Sequence, residues 1–218
     1  MDTAFWLDRW QRNEIGFHQP EFNAHLQAFW PGLGLAPGAG VFVPLCGKSR
    51  DLLWLRAQGH AVIGVELSPV AVADFFRENA LTPTVTAAGP LQRWEADGLA
   101  ILCGDFFALT PELLRDVAGV FDRAALIALP PAMRRPYADH LARVLPAAAM
   151  SLLVTMEYPQ GEMQGPPFSV SEAEVDTLFG ASYRVERRYE QDILRENPRF
   201  AARGLSALAE KVYCLRRR

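Results

Sequence analysis

Two stretches decide the fold: Val41-Phe-Val-Pro-Leu-Cys-Gly-Lys-Ser-Arg-Asp51 and His60-Ala-Val-Ile-Gly-Val-Glu66. They predict a strand, a tight turn, a helix and a second strand that ends in a carboxylate. A short apolar run rich in Val and Phe is typical of a strand buried on both faces. Pro44 and Gly47 interrupt that run, and Ser49 is the predicted N-cap of the helix that follows.

Glu66 is the candidate ligand-binding carboxylate. It would end its strand at the carboxyl edge of a parallel sheet, where open α/β folds bind ligands, and the spacing of about twenty residues from Gly47 suits a ribose-binding acid. Only Gly47 matches the G-x-G-x-x-G fingerprint, and Phe42 stands where a Walker loop requires Gly. The pattern therefore favours a cofactor with a ribose and no phosphates, such as S-adenosylmethionine. An ordinary βαβ unit with a solvated Glu66 stays open.

Composition limits the classes of protein to consider. The chain has 218 residues, of which 50% are hydrophobic, so it can bury a full core as one domain. We expect residues 1–38 to form a helical cover and residues 39–218 the core. The net charge of -3 lacks the excess of positive charge that is typical of nucleic-acid-binding proteins. No apolar run approaches the about twenty residues of a membrane span, so we expect a cytoplasmic protein. A monomer is the default expectation.

Cysteine and histidine usage predicts no metal. The three cysteines are too few and scattered for a disulfide framework or a zinc cluster. Cys103 and Cys214 are predicted to be buried, while Cys46, beside the turn, is a candidate reactive thiol. The four histidines contain no i, i+4 pair.

Strand and helix patterns alternate along the whole chain. The helix after Ser49 is predicted to stop at Gly59. Helices are also predicted at 3–12 (capped by Asp2 or Thr3), 22–30, 69–79 (started by Ser68-Pro69), 131–144 and 171–179 (capped by Ser169 or Ser171), and further strands at 99–103, 120–123, 148–157, 183–189 and 211–215. Residues 84–94 predict an extra strand or a hairpin. This alternation indicates an α/β, three-layer, doubly wound sheet.

The chain resembles the thiopurine S-methyltransferase family, in its bacterial form, over most of its length. The motifs that carry the resemblance are Trp6-x-x-x-Trp10 with Gly16-Phe-His-Gln19, Val43-Pro-Leu-Cys-Gly-Lys48, Gly59-His-x-Val-Ile-Gly-Val-Glu66, Phe121-Asp-Arg-x-Ala-Leu-Ile-Ala128, Tyr137-Ala-Asp139 and Gly165-Pro-Pro-Phe-x-Val170. The resemblance implies the class I S-adenosylmethionine-dependent methyltransferase fold. That fold is Rossmann-like, with a mostly parallel seven-stranded sheet in the order 3-2-1-4-5-7-6 and an antiparallel last strand.

The resemblance also implies an activity. Family members transfer a methyl group from S-adenosylmethionine to the sulfur of aromatic or heterocyclic thiols such as thiopurines, which leaves S-adenosylhomocysteine. Bacterial members are associated with methylation of selenium and tellurium species and with tellurite resistance. We expect a small-molecule thiol, selenium or tellurium acceptor and no metal.

Carried over residue by residue, the family's contacts fall on eight residues of this chain. The implied cofactor-binding residues are Trp10, Leu45, Glu66, Asp105, Phe106 and Arg123; the implied acceptor-binding residues are Phe17, Arg123 and Arg199; and Arg123 is the implied catalytic residue. An indole such as that of Trp10 can exclude water and favour a sulfonium by cation–π attraction. Arg123 would orient and partly neutralise the acceptor, with no covalent enzyme intermediate.

Two other classes of function remain as alternatives. A nucleotide-linked oxidoreductase would share the ribose site at Glu66, although the missing glycine fingerprint argues against it. A non-catalytic module would bind S-adenosylmethionine, or a protein partner through its Trp-rich first helix, and would turn over no thiol.

Overall fold

The computed structural model describes residues 3–218, which form one sheet of nine strands. Asp2, one of the two predicted caps of the first helix, lies outside the described residues. The strands are β1 (Gly40–Val43), β2 (Ala61–Glu66), β3 (Thr84–Ala88), β4 (Leu91–Ala96), β5 (Leu99–Cys103), β6 (Val117–Arg123), β7 (Met150–Glu157), β8 (Tyr183–Asp192) and β9 (Ala209–Arg217).

The strand order is β3-β4-β5-β2-β1-β6-β7-β9-β8. The five strands from β5 to β7 run parallel. Strand β9 is antiparallel to both β7 and β8, and the hairpin β3–β4 adds to β5 in antiparallel pairing. The carboxyl ends of the central strands therefore meet at one edge, which positions the candidate site.

The expected order of seven strands is confirmed, because β5-β2-β1-β6-β7-β9-β8 corresponds to 3-2-1-4-5-7-6. The count of seven was incomplete. The 84–94 segment, predicted as an extra strand or hairpin, forms β3 and β4 and extends the sheet to nine strands within the described residues. The hairpin joins this edge because β4 pairs along β5 from Gln92 to Ala96 and buries Leu91.

Helices cover both faces of the sheet and complete the predicted three layers. They are α1 (Thr3–Gln11), α2 (Ala24–Phe29), α3 (Asp51–Ala57), α4 (Pro69–Glu78), α5 (Ala125–Ala128), α6 (Pro131–Val144), α7 (Glu172–Phe179) and α8 (Pro198–Ala201). Buried side chains of α2, α3 and α4 join one hydrophobic cluster with the sheet. Those of α5, α6 and α7 join a second cluster on the opposite face.

Local capping agrees with the sequence at two helices and differs at a third. Ser68 and Ser171 accept N–H hydrogen bonds at the starts of α4 and α7, as predicted. The Ser49 prediction is wrong: Arg50 occupies the N-cap position of α3 without a side-chain cap. The Ser49 hydroxyl instead accepts from the Asp51 N–H and donates to its carboxylate.

The segment before β1 is attached to the turn region by polar contacts. The Asn23 side chain caps α2, which is shorter than predicted because a 3₁₀ turn over Trp30–Leu33 replaces its end. The Asn23 N–H donates to buried Asp51 (2.8 Å), and Arg50 donates to the carbonyl of Pro20 (2.8 Å). No helix among residues 3–218 is long and apolar enough to cross a membrane.

Candidate active site

The turn after β1 depends on two left-handed backbone positions. Leu45 has φ +46 and Gly47 has φ +54, and the Cys46 N–H donates to the carbonyl of Val65 on β2 (2.9 Å). A Cβ on Gly47 would lie 3.0 Å from Cζ2 of Trp10. Gly47 therefore suits this turn for two reasons, its backbone conformation and the close approach of the indole.

Glu66 faces this turn from the end of β2. Its side chain is 6% exposed, one carboxylate oxygen accepts the Gly47 N–H and the other accepts the Ser68 N–H, both at 2.8 Å. Burial raises the pKa of Glu66 above its ordinary value, and these backbone hydrogen bonds oppose the shift. A carboxylate has about four lone-pair sites, so each oxygen retains one for a further donor.

Three aromatic rings from the N-terminal segment gather over the turn. Phe17 contacts both Trp6 and Trp10 edge to face, with ring centroids 5.5 Å apart in each pair. Trp10 is buried at 6% exposure, whereas Phe17 keeps 43% of its surface exposed. The buried indole thus packs on the Gly47 turn while the Phe17 ring offers an open face.

Arg123 ends β6 and is half-buried. No hydrogen bond or ion pair reaches its guanidinium from any residue between 3 and 218. Burial lowers its pKa, while the negative charges of Asp51 and Glu210 act in the opposite direction. An unpaired, partly desolvated guanidinium is suited to an anionic or polarisable ligand.

Asp105 and Phe106 follow β5, next to Glu66, since the Gly104 N–H donates to the Glu66 carbonyl (2.9 Å). One Asp105 carboxylate oxygen accepts the Phe107 N–H, and the side chain is otherwise exposed. The Phe106 ring is buried and stacks on Tyr137 with centroids 4.8 Å apart. The Phe106 ring therefore belongs to the core, so only the backbone of this residue is available to a ligand.

Arg199 lies on α8 and reaches the N-terminal segment. Its Nη1 donates to the carbonyl of Gly16 at 3.0 Å. Helix α8 is held in place by Phe200, which is buried in a small separate cluster of apolar side chains, namely Tyr158, Met163, Ile193, Phe200, Leu205 and Leu208. The structure thus brings Arg199 next to the Phe17 segment.

The sequence analysis assigned no role to two titratable residues near the Gly47 turn. His18 follows Phe17, and the charges of Lys48, Arg123 and Arg50 act on its ring. Lys48 is buried and donates to Glu78 at the end of α4 (2.8 Å). His18 and Lys48 lie inside the sequence motifs around Phe17 and Gly47. Membership in those motifs was the signal that could have identified them from the sequence.

The cysteines are poor candidates for chemistry. Cys46, Cys103 and Cys214 are all buried, as expected for the last two. Burial, together with the charge of Glu66, raises the pKa of Cys46 well above its ordinary value, so its thiol stays protonated. The idea that Cys46 is reactive is therefore wrong. Within residues 3–218, no group of three or more His, Cys, Asp or Glu side chains is arranged to hold a metal ion.

An open cavity of about 620 Å³ lies away from these residues. It is lined by the α4–β3 connection and the β4–β5 turn, including Thr84, Glu95 and Gly98. Gly98 precedes β5, so this cavity is at the amino edge of that strand, opposite Glu66. Position in the fold and side-chain chemistry both favour the carboxyl edge as the site.

Sequence comparisons identify the family. The model of the family described as thiopurine S-methyltransferase matches residues 1–218. A thiopurine S-methyltransferase of Nitrosospira multiformis is 52% identical over 215 residues, covering 99% of this chain and 98% of the relative. Another of Pseudomonas entomophila is 53% identical over 217 residues and covers both chains completely.

Solved structures share the fold at low identity. A methyltransferase of Geobacter sulfurreducens, in complex with S-adenosylhomocysteine, has a TM-score of 0.65 at 16% identity and covers 100% of this chain and 99% of its own. A 1,6-didemethyltoxoflavin-N1-methyltransferase of Burkholderia thailandensis has a TM-score of 0.65 at 14% identity, with 98% and 87% covered. These similarities establish the class I methyltransferase fold.

Proposed function

Since the chain belongs to the thiopurine S-methyltransferase family and is an S-adenosylmethionine-dependent methyltransferase, we propose that it methylates the sulfur of aromatic or heterocyclic thiols, thiopurines included. The single observation that carries the acceptor class is the half-buried guanidinium of Arg123, which has no partner in the part of the chain that the structure describes. A thiolate is the charge complement of such a group. The oxidoreductase alternative is excluded by the family.

The residues around Glu66 fit the donor. The two free lone-pair positions of its buried carboxylate match two ribose hydroxyls, and the turn offers no phosphate cradle. In this proposal Trp10 excludes water at the methionine end, and Leu45 contributes backbone and apolar contact. Asp105 accepts from the adenine amino group with its remaining oxygen, and the Phe106 backbone lies beside it. When bound, S-adenosylmethionine supplies a methyl group activated by a sulfonium.

Phe17 and two arginines would hold the acceptor. The open face of Phe17 can stack on an aromatic ring. Arg123 stabilises the thiolate form and orients its sulfur. Arg199 acts indirectly in this proposal, because its hydrogen bond to Gly16 fixes the backbone that carries Phe17.

Catalysis would then come mainly from positioning. Methyl transfer is an in-line displacement, and correct alignment of the reacting atoms can contribute about 7–11 kcal/mol in favourable intramolecular models. Desolvation around Arg123 strengthens its attraction for a thiolate relative to bulk water. No covalent enzyme intermediate is required.

The test combines binding and turnover. Wild-type protein should bind S-adenosylhomocysteine by isothermal titration calorimetry and methylate an aromatic thiolate. Arg123→Met should lower kcat/KM for that thiolate by about 10²-fold, the value of one strong charge-assisted contact of about 3 kcal/mol. Arg115→Met is the matched control, because Arg115 is exposed and pairs only with its exposed neighbour Asp116.

Two outcomes would count against the proposal. Full activity in Arg123→Met would remove the acceptor role of that residue. Tight binding of S-adenosylhomocysteine without turnover of any thiol would favour the alternative, a non-catalytic binding module.

Further features are part of the same proposal. Selenium and tellurium species are additional acceptors, since anionic chalcogen compounds would meet the same guanidinium, and a role in tellurite resistance would follow. We also propose a monomer that acts in the cytoplasm, which size-exclusion chromatography and cell fractionation test. Loss of tellurite tolerance on gene deletion would support the physiological role, and unchanged tolerance would oppose it.

A further inference from the structure

The segment that carries His18 is fixed at both ends. Before it, the Gly16 carbonyl accepts a hydrogen bond from Arg199 and the Phe17 ring packs on the two tryptophans of α1. After it, the Pro20 carbonyl accepts from Arg50 at 2.8 Å. The His18 N–H itself donates to Ile15 (2.7 Å). His18 is therefore held in place between two anchored points.

Charged groups from three parts of the fold act on the His18 ring. They are Lys48 in the turn after β1, Arg50 before α3, Arg123 at the end of β6, and Glu78 at the end of α4. Glu78 is engaged by Lys48. The ring therefore lies within range of the charge of Arg123, the guanidinium that we assign to the acceptor, and it directly follows Phe17, whose ring packs on Trp10 at the Gly47 turn.

The His18 ring has no hydrogen-bond partner among residues 3–218, and it is only half-buried. Other histidines differ: His25 is 2.8 Å from the Glu210 carboxylate, and His60 accepts from the Trp30 indole. Burial and the charge of Lys48 lower the pKa of His18 below its ordinary 6.5. At neutral pH the imidazole is thus uncharged and has a free lone pair.

We propose that His18 accepts the proton of the acceptor thiol during methyl transfer. This inference rests on the proposed function and adds a named proton acceptor to it. The S–H bond breaks, its electron pair stays on sulfur, and the proton moves to the unprotonated ring nitrogen. The thiolate sulfur then forms a bond to the donor methyl, while the methyl–sulfonium bond breaks and its electron pair returns to the donor sulfur.

The surroundings explain how the proton leaves. Burial and the three nearby cations keep His18 uncharged before the reaction, and they also disfavour the imidazolium that forms, so it loses its proton to solvent through the exposed part of the ring. Arg123 at the same time stabilises the thiolate. The two groups therefore assist the same proton transfer, which matters for thiols that are not ionised at neutral pH.

The experiment compares two acceptors and three proteins. One acceptor is phenylmethanethiol, which carries an aromatic ring and is mostly protonated at pH 7; the other is 4-nitrothiophenol, which is already a thiolate. The proteins are wild type, His18→Gln and His60→Gln. His60 is the matched control, because it precedes β2 at the amino edge of the sheet, opposite Glu66, and a glutamine can still accept from Trp30.

For phenylmethanethiol, His18→Gln should lower kcat/KM at pH 7 by about 10²-fold, the lower end of typical general-base effects. Its rate should then rise tenfold per pH unit up to the pKa of the thiol, whereas wild type should level off above the pKa of His18. For 4-nitrothiophenol the three proteins should agree within about threefold, since no proton has to be removed.

A second readout does not depend on turnover. In the complex with S-adenosylhomocysteine, NMR of the His18 Cε1–H resonance should report a higher pKa for His18 when 4-nitrothiophenolate is bound than when it is absent, because a negative charge near the ring favours the imidazolium. Equal losses on both acceptors, or a His18→Gln profile with the wild-type plateau, would overturn the inference. If wild type methylates no thiol, the proposed function itself fails, so the two failures are distinguishable.

Discussion

Replacing Asp122 by asparagine should make the stability of the fold less dependent on pH. Asp122 is 2% exposed on β6, immediately before Arg123. One carboxylate oxygen accepts the Tyr137 hydroxyl at 2.7 Å, and the other has no partner among residues 3–218. Burial raises the pKa of Asp122 from 3.8 to about 7, and the Tyr137 hydrogen bond opposes this shift.

The size of the effect follows from that shift. Because the folded-state pKa is the higher one, the protonated carboxyl stabilises the fold below pH 3.8, and this contribution is lost as pH rises through about 7. Each pKa unit corresponds to about 1.4 kcal/mol, so the whole shift is worth roughly 4 kcal/mol. Between pH 5 and pH 8 the loss from this one group is about 2–3 kcal/mol.

Urea unfolding at pH 5 and pH 8 measures the effect. The free energy of unfolding of Asp122→Asn relative to wild type should rise by about 2–3 kcal/mol between these pH values. An asparagine oxygen can still accept the Tyr137 hydroxyl. Any pH-independent change in the free energy of unfolding caused by the substitution is the same at both pH values. Asp116→Asn, at an exposed position, should show no such change. A difference that is constant with pH, or that favours the variant more at pH 5, would refute the reasoning.

Two further substitutions test the turn and the ribose site. Glu66→Ala should weaken binding of S-adenosylhomocysteine at least about 10²-fold in calorimetry, because hydrogen bonds to a charged group are worth about 1.5–3 kcal/mol each. The control is Glu95→Ala, at an exposed position. Unchanged affinity in Glu66→Ala would argue against a ribose site. Gly47→Ala should destabilise the protein more than Gly34→Ala in thermal unfolding. Both alanines must adopt a left-handed backbone conformation, at a cost of about 1–2 kcal/mol, but only the Cβ at position 47 also contacts Trp10 closely. Equal losses of stability in the two variants would mean that the indole contact contributes nothing.

Much of the fold was predictable because its signals are local. The apolar run at 41–43, the Gly59 stop and the Ser68 cap each act within a few residues, so the helices and strands follow from short-range preferences. The same holds for the position of Glu66 at a strand end. The Ser49 prediction missed by one position, because α3 begins at Asp51 after Arg50, and the Ser49 hydroxyl is engaged by the N–H and carboxylate of Asp51.

The candidate site was predictable in composition but not in geometry. Family motifs named Phe17, Phe106 and Arg199 as ligand contacts. Packing decides what each can offer: the Phe106 ring stacks on Tyr137 in the core, and the Arg199 guanidinium hydrogen-bonds to Gly16. These contacts join residues that are distant in sequence, and no short-range preference encodes them.

The sequence by itself determined the alternation of strands and helices, the acid at the end of β2 and the family, because periodicity, turn residues and motifs are local properties of the sequence. Only the tertiary structure decided that, among residues 3–218, the hairpin extends the sheet to nine strands and Arg123 stays unpaired, and that the charge of Arg123 acts on His18. The physical reason is that pairing, burial and electrostatic neighbours depend on which surfaces meet when the layers pack, and that choice is made by the whole chain together.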